Sequence, residues 1–163
     1  MKNIGIFKAM KLCRDYEKSS TEEKQVIRNQ RLKKIVEHAR KNSPYYNNLY
    51  LSVPESFTLM DLPTTNKKTL MANWNDWICD PDLTLEEADK FMENPDNIGR
   101  KLKNKYLVFT TSGSTGNPLV AIYDKTANNV MGGIGASRSY ARKEDLVAFI
   151  KRGGKSIGVF ADE

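Results

Sequence analysis

Hydrophobic spacing in the first hundred residues predicts short helices joined by polar or proline turns. Ser20 and Glu23 form a capping-box pattern, so a helix is expected to begin there. Four apolar residues then share roughly 100° of arc at about 100° per residue, which predicts one buried face. These residues are Leu32, Ile35, Val36 and Ala39. The helix should end before Pro44, because a residue preceding proline is disfavoured in the α conformation.

Further helices follow from the same reasoning. The aromatic segment 45–50 indicates a short turn of helix. Thr65 is predicted to cap a short helix that carries Leu70, Met71 and Trp74. The capping-box spacing recurs at Thr84 and Glu87. An apolar helical face follows these two residues, and the predicted helix ends before Pro95.

The periodicity changes after residue 105. Residues 106–110 are rich in β-formers, and a polar, glycine-containing loop follows them. Beyond this loop we expect a second strand at 119–123, helices at 126–140 and 146–150, and a third strand at 155–160. The predicted fold class is therefore α/β, with an N-terminal helical region at 1–100 followed by the beginning of a β-sheet subdomain at 101–163.

Composition narrows the class of protein. The chain has 163 residues, of which 39% are hydrophobic and 28% charged, which excludes disordered and collagen-like classes. No apolar run approaches the roughly 18 residues that cross a bilayer, and the N-terminus lacks a signal-peptide core, so we expect a cytoplasmic protein without a membrane partner. The net charge of +6 suits a polyanionic ligand.

The loop between the two predicted strands carries the most chemical information. Residues 110–118 read T-T-S-G-S-T-G-N-P. Glycines allow the main chain to approach an anion closely, and backbone N–H groups and hydroxyls can surround phosphate oxygens. A triphosphate would fit such a loop, whereas in a generic sequence a Ser/Gly-rich flexible turn between strands is the commoner interpretation of this pattern. The candidate nucleotide-binding residues are Thr111, Ser112, Gly113, Ser114, Thr115 and Gly116.

This loop closely resembles the T-S-G-S/T-T-G-x-P phosphate loop of adenylate-forming enzymes, the acyl- and aryl-CoA ligases. Two upstream segments extend the resemblance to the phenylacetate-CoA ligase branch. Residues 43–46 match its S-P-Y-Y element, and 62–67 match its L-P-x-T-x-K element. The three elements span most of residues 28–123.

The resemblance implies a function for the loop. Residues 112–116 would hold the β- and γ-phosphates of ATP, with magnesium accompanying the nucleotide. In such enzymes a substrate carboxylate attacks the α-phosphate of ATP and pyrophosphate leaves. The acyl-adenylate is then usually transferred to a thiol such as that of coenzyme A. The physical task is positioning and neutralisation of charge on phosphate oxygens.

Two departures from the superfamily pattern matter. Many superfamily loops carry lysine after the proline, where this chain has Leu119, although the phenylacetate branch often lacks that lysine too. The adenine, ribose and C-terminal lysine motifs do not occur before Glu163. We therefore expect an N-terminal fragment of a longer ligase, inactive alone in pyrophosphate exchange, with no catalytic residue assigned. ATP and a carboxylic acid would be partners of the full-length protein, and a homodimer is one expected assembly.

Alternative interpretations remain at this stage. The same loop would also serve a non-catalytic nucleotide- or polyanion-binding module. The basic segment 24–41 has seven Lys or Arg residues against Glu37, but no aromatic stacking set, so nucleic-acid binding is disfavoured against a solvated helix face. His38 is predicted to be a solvated histidine, and Cys13 and Cys79 ordinary thiols, so no metal site is predicted.

Overall fold

The structure of the chain, a computed structural model, describes residues 3–111, 118–139 and 142–154. The described chain is mixed α/β and mostly helical, with a small antiparallel sheet. Its helices are α1 (Ile6–Lys18), α2 (Thr21–Asn42), α3 (Pro44–Leu49), α4 (Lys67–Ala72), α5 (Trp74–Trp77), α6 (Leu85–Glu93), α7 (Lys125–Arg138) and α8 (Lys143–Lys151). The strands are β1 (Leu107–Thr110) and β2 (Val120–Tyr123), and single 3-10 turns lie at Leu59–Asp61 and Pro95–Asn97.

Both predicted capping boxes are confirmed. The Glu23 amide donates to the Ser20 hydroxyl at 3.2 Å, and the Ser20 amide donates to the Glu23 carboxylate at 2.8 Å. Thr84 and Glu87 make the same reciprocal pair at the start of α6. Each box pairs two main-chain N–H groups that would otherwise lack a partner at the start of a helix. Because the pattern involves residues only three positions apart, the sequence alone predicts where these helices begin.

Two predictions in the helical region are wrong in detail. Ile35 is 63% exposed, whereas Val36 is 3% exposed, because α2 packs mainly against the short α3 and needs only a narrow buried stripe. The cap of α4 is Asn66, whose side chain accepts from the Thr69 amide at 2.9 Å. Thr65 lies one residue earlier.

Helix α1 was not predicted from the sequence, because no side chain caps its start at Gly5. The helix is held by tertiary contact with α7, from the other end of the described chain. The crossing is close at Gly133, where an added Cβ would lie 2.6 Å from the Ala9 Cβ and 2.9 Å from the Ile6 carbonyl oxygen. Glycine is therefore required at this contact for space rather than for backbone conformation.

The main core forms around Trp74, which is 2% exposed. Its indole N–H donates to the Val120 carbonyl at 3.0 Å, so the side chain joins α5 to β2. The other buried members of this cluster, which we call the Trp74 cluster, are Leu83, Ala88, Leu102, Tyr106 and Val120. These residues come from both sides of the predicted boundary at residue 100. The division into two regions remains a prediction about organisation, while the core itself is shared.

The remaining predicted elements have mixed outcomes. The helices expected at 126–140 and 146–150 are present as α7 and α8, and the two strands pair as an antiparallel hairpin. The third predicted strand, at 155–160, lies outside the described residues. None of the described helices is long and apolar enough to cross a membrane.

Candidate functional site

The base of the predicted phosphate loop is a regular hairpin. In the register of β1 and β2, Thr110 pairs with Val120. One step further, the Thr111 amide donates to the Leu119 carbonyl at 3.2 Å, and the Leu119 amide donates to the Thr111 hydroxyl at 3.0 Å. Main-chain and side-chain groups of Thr111 are thus both fixed where the loop begins.

Of the candidate nucleotide-binding residues, Thr111 lies within the described chain. The other five, Ser112, Gly113, Ser114, Thr115 and Gly116, lie outside the described residues. Their roles remain predictions, and the geometry that bears on them is that of the hairpin base and the side chains around it.

A cation from a distant segment reaches this base. The Lys67 ammonium lies 3.4 Å from the Thr111 hydroxyl oxygen, within hydrogen-bonding reach, although 44 residues separate the two. Lys67 begins α4, directly after the Asn66 cap. The sequence has Leu119 where many phosphate loops of adenylate-forming enzymes have lysine, so residues 110–119 contain no Lys or Arg. The fold supplies a positive charge from the L-P-x-T-x-K element instead.

The three sequence elements that carry the family resemblance are joined by hydrogen bonds. Tyr45, of the S-P-Y-Y element, places its hydroxyl 2.7 Å from the Thr65 hydroxyl, two residues before Lys67. The buried Ser43 hydroxyl donates to the Asp76 carbonyl at 2.8 Å, next to the Trp74 cluster. Elements that are far apart in sequence therefore meet around one hairpin. Lys67 is the last residue of the L-P-x-T-x-K motif, but the motif alone does not predict that its ammonium lies beside the loop.

Four basic residues precede β1 in the sequence: Arg100, Lys101, Lys103 and Lys105. They lie before the start of the strand, and β1 runs from them toward Thr110. The Lys103 ammonium pairs with Glu87 at 3.0 Å, and the Lys105 ammonium pairs with Asp80 at 3.0 Å. These two ion pairs connect the segment before β1 to α6 and to Asp80.

Asp80 is the centre of a polar network at that end. Its carboxylate accepts from the Tyr106 hydroxyl and from the Lys105 ammonium, and it also accepts from the Asp82 amide at 3.1 Å. These donors hold the pKa of Asp80 below its ordinary value, with the Tyr106 bond as the largest cause. Burial, together with the bond to Asp80, raises the pKa of Tyr106. The network connects the segment after α5 to the start of β1.

The remaining candidates for chemistry have ordinary surroundings. His38 is exposed on α2, with its Nδ1 3.0 Å from the Asn42 amide nitrogen. Cys13 is buried in α1, and burial raises the pKa of the half-buried Cys79 thiol, which disfavours the reactive thiolate. Both cysteines are free, as predicted. Within residues 3–111, 118–139 and 142–154, no cluster of three metal-ligating side chains occurs.

No protein-family model, curated protein or solved structure matches the chain. The resemblance to adenylate-forming enzymes therefore depends on the three sequence elements alone. In the described residues, a hydrogen bond links the S-P-Y-Y element to the L-P-x-T-x-K element, and Lys67 of the latter lies beside Thr111 at the hairpin base.

Proposed function

We propose that the hairpin loop after Thr111 binds the β- and γ-phosphates of ATP, and that this chain carries the phosphate-binding part of an adenylate-forming ligase of the phenylacetate-CoA ligase type. The observation that supports this most directly is the Lys67 ammonium beside the Thr111 hydroxyl. A phosphate-binding loop built from hydroxyls, glycines and amides gains most from one fixed cation, and this geometry provides it.

The surrounding groups fit a polyphosphate. Lys67 is half-buried and bonds to a neutral hydroxyl, and no carboxylate pairs with it among the described residues. Its charge is thus available to an anion, whereas Lys103 and Lys105 are already neutralised. Magnesium would arrive with the nucleotide, since phosphate oxygens are themselves ligands that this cation prefers. Acid activation and thiol transfer would need groups beyond this hairpin, and the acid substrate is left unassigned.

The test is a comparison of nucleotides by isothermal titration calorimetry in the presence of magnesium. If the loop holds the terminal phosphates, ATP should bind at least about tenfold more tightly than AMP, because AMP lacks both of them. The Lys67→Gln variant should lose about tenfold in ATP affinity, the effect of one charge-assisted hydrogen bond, and leave AMP binding unchanged.

Lys68 offers a matched control on the same helix. It is exposed and makes no contact with Thr111 in the described structure, so Lys68→Gln should change ATP affinity by less than about twofold. Equal binding of ATP and AMP, or equal losses in the two lysine variants, would contradict the proposal. Inorganic triphosphate binding as tightly as ATP would favour a non-catalytic polyanion-binding module instead.

A further inference from the structure

An open groove runs between α2 and the segment that contains the first 3-10 turn. We call it the Met60 groove; its volume is about 640 Å³, which lies in the range of small-ligand pockets. Its lining includes Arg28, Arg31, Leu32 and Ile35 on α2, and Leu59 and Met60 opposite. None of these belongs to the hairpin site.

The walls of this groove are unusually apolar for surface side chains. Ile35 is 63% exposed, Leu59 is 67% exposed and Met60 is 90% exposed. The segment that carries Leu59 and Met60 is held in place rather than free. The Thr58 hydroxyl and amide both donate to Asp61, and the Arg40 guanidinium donates to the Tyr50 and Val53 carbonyls upstream. The fold therefore presents these side chains to solvent in a fixed arrangement.

The rim of the groove is positively charged. Arg28 donates to the neutral Gln25 side chain at 2.6 Å, and the Arg31 guanidinium lies 5.3 Å from the centre of the Tyr16 ring. Within the described chain neither guanidinium forms a salt bridge with a carboxylate. The nearest acid on the 3-10 turn, Asp61, is engaged by Thr58. An apolar floor beside two uncompensated guanidinium groups is complementary to apolar side chains accompanied by carboxylates.

We infer that the Met60 groove binds an acidic amphipathic helix of a partner protein. Apolar side chains of that helix would pack on Ile35, Leu59 and Met60, and its carboxylates would pair with Arg28 and Arg31, in the helix-in-groove mode of recognition. Nucleic acid fits less well, because none of the described residues that line the groove is an aromatic residue that could stack with bases. The concave shape suits an inserted helix better than a flat lipid surface.

The experiment uses two fluorescein-labelled helical probe peptides of identical Leu and Ala pattern, one with Glu and one with Lys at the polar positions. Fluorescence anisotropy with the full chain should show saturable binding of the Glu peptide at micromolar concentration and at least about tenfold weaker binding of the Lys peptide. Arg28→Glu should weaken the Glu peptide about tenfold and strengthen the Lys peptide. Met60→Ser should weaken the Glu peptide about fivefold through lost apolar contact.

Lys33→Glu is the matched control, because it makes the same charge change on the face of α2 away from the groove, roughly 160° around the helix from Arg31 and roughly 140° from Arg28. It should alter affinity by less than about twofold. All substituted side chains are exposed, and circular dichroism would verify that each variant is folded. The inference is overturned if the Glu peptide shows no saturable binding, if Lys33→Glu matches Arg28→Glu, or if an oligonucleotide displaces the peptide with the same variant dependence. It is also overturned if Met60→Ser dissociates a self-associated form of the chain in sedimentation velocity, since a second copy would then occupy the groove.

Discussion

The Trp74 cluster and helix α2 show two ways in which this chain makes ordered structure. The cluster gathers buried side chains from α5, α6 and the hairpin, although its members are spread over residues 74–120. Helix α2 is the longest element, with 22 residues, yet Val36 is its one buried side chain. The two regions therefore differ in the fraction of their side chains that is buried, and this fraction does not follow helix length. The hairpin site is therefore supported by the buried cluster, whereas α2 leaves most of its surface open for other contacts.

The largest expected effect tests the cluster directly. Replacing Trp74 with alanine removes a buried indole and should lower the free energy of unfolding by about 3–5 kcal/mol, measured by urea denaturation. Trp74→Phe keeps much of the packing but leaves the Val120 carbonyl without its donor, so a loss of about 1–3 kcal/mol is expected.

Val36→Ala is the counterpart in α2, with an expected loss of about 1–2 kcal/mol from the methyl groups removed. The comparison between the two regions fails if Val36→Ala is as damaging as Trp74→Ala. It also fails if Trp74→Ala leaves the unfolding midpoint unchanged.

A smaller effect is expected at the contact between α1 and α7. It tests whether the stability of these helices depends on close packing, as that of the Trp74 cluster does. Gly133→Ala places a methyl group against Ala9 and the Ile6 carbonyl, so it should destabilise the chain by about 1–3 kcal/mol. Gly135→Ala, on the same helix, meets nothing within 4 Å and should stabilise by up to about 1 kcal/mol through helix propensity. Thermal unfolding of the two variants should move in opposite directions. A shared direction would mean that propensity, and not the α1 contact, decides the outcome.

The smallest expected effect concerns pH. The pKa of Asp80 is lowered in the fold, so its contribution to stability is fully present above its unfolded pKa, near 4, and is lost as pH falls through the lower folded value. Asp80→Asn should reduce stability at pH 7 and flatten the decline in stability between about pH 5 and pH 2. Chemical denaturation at a series of pH values measures both.

The control for this titration is on α2. Glu37 lies 4.0 Å from Lys33, and both side chains are mostly exposed, so Glu37→Gln should change stability by less than about 0.5 kcal/mol at neutral pH. If Asp80→Asn and Glu37→Gln changed the free energy of unfolding equally, the Asp80 network would contribute no more to stability than the solvated charges of α2.

Local interactions were readable from the sequence because they depend on residues three or four positions apart. Such local interactions define the capping boxes that begin α2 and α6 and the end of α2 before Pro44. They also define the change from helices to strands after residue 105. The same holds for the pairing of β1 with β2, since a short loop between two β-rich runs favours an antiparallel hairpin. The phosphate-loop pattern is equally local, and its assignment to ATP remains a proposal.

Features that depend on distant parts of the chain were decided by tertiary structure alone. Helix α1 lacks a side-chain cap, and its place follows from the contact between Ala9 and Gly133. The exposure of Ile35 depends on what packs beside α2, which periodicity does not encode. The position of Lys67 beside Thr111 joins segments 44 residues apart. A sequence specifies which groups are available within a turn of helix or a hairpin, whereas the packing of the Trp74 cluster determines which distant groups meet.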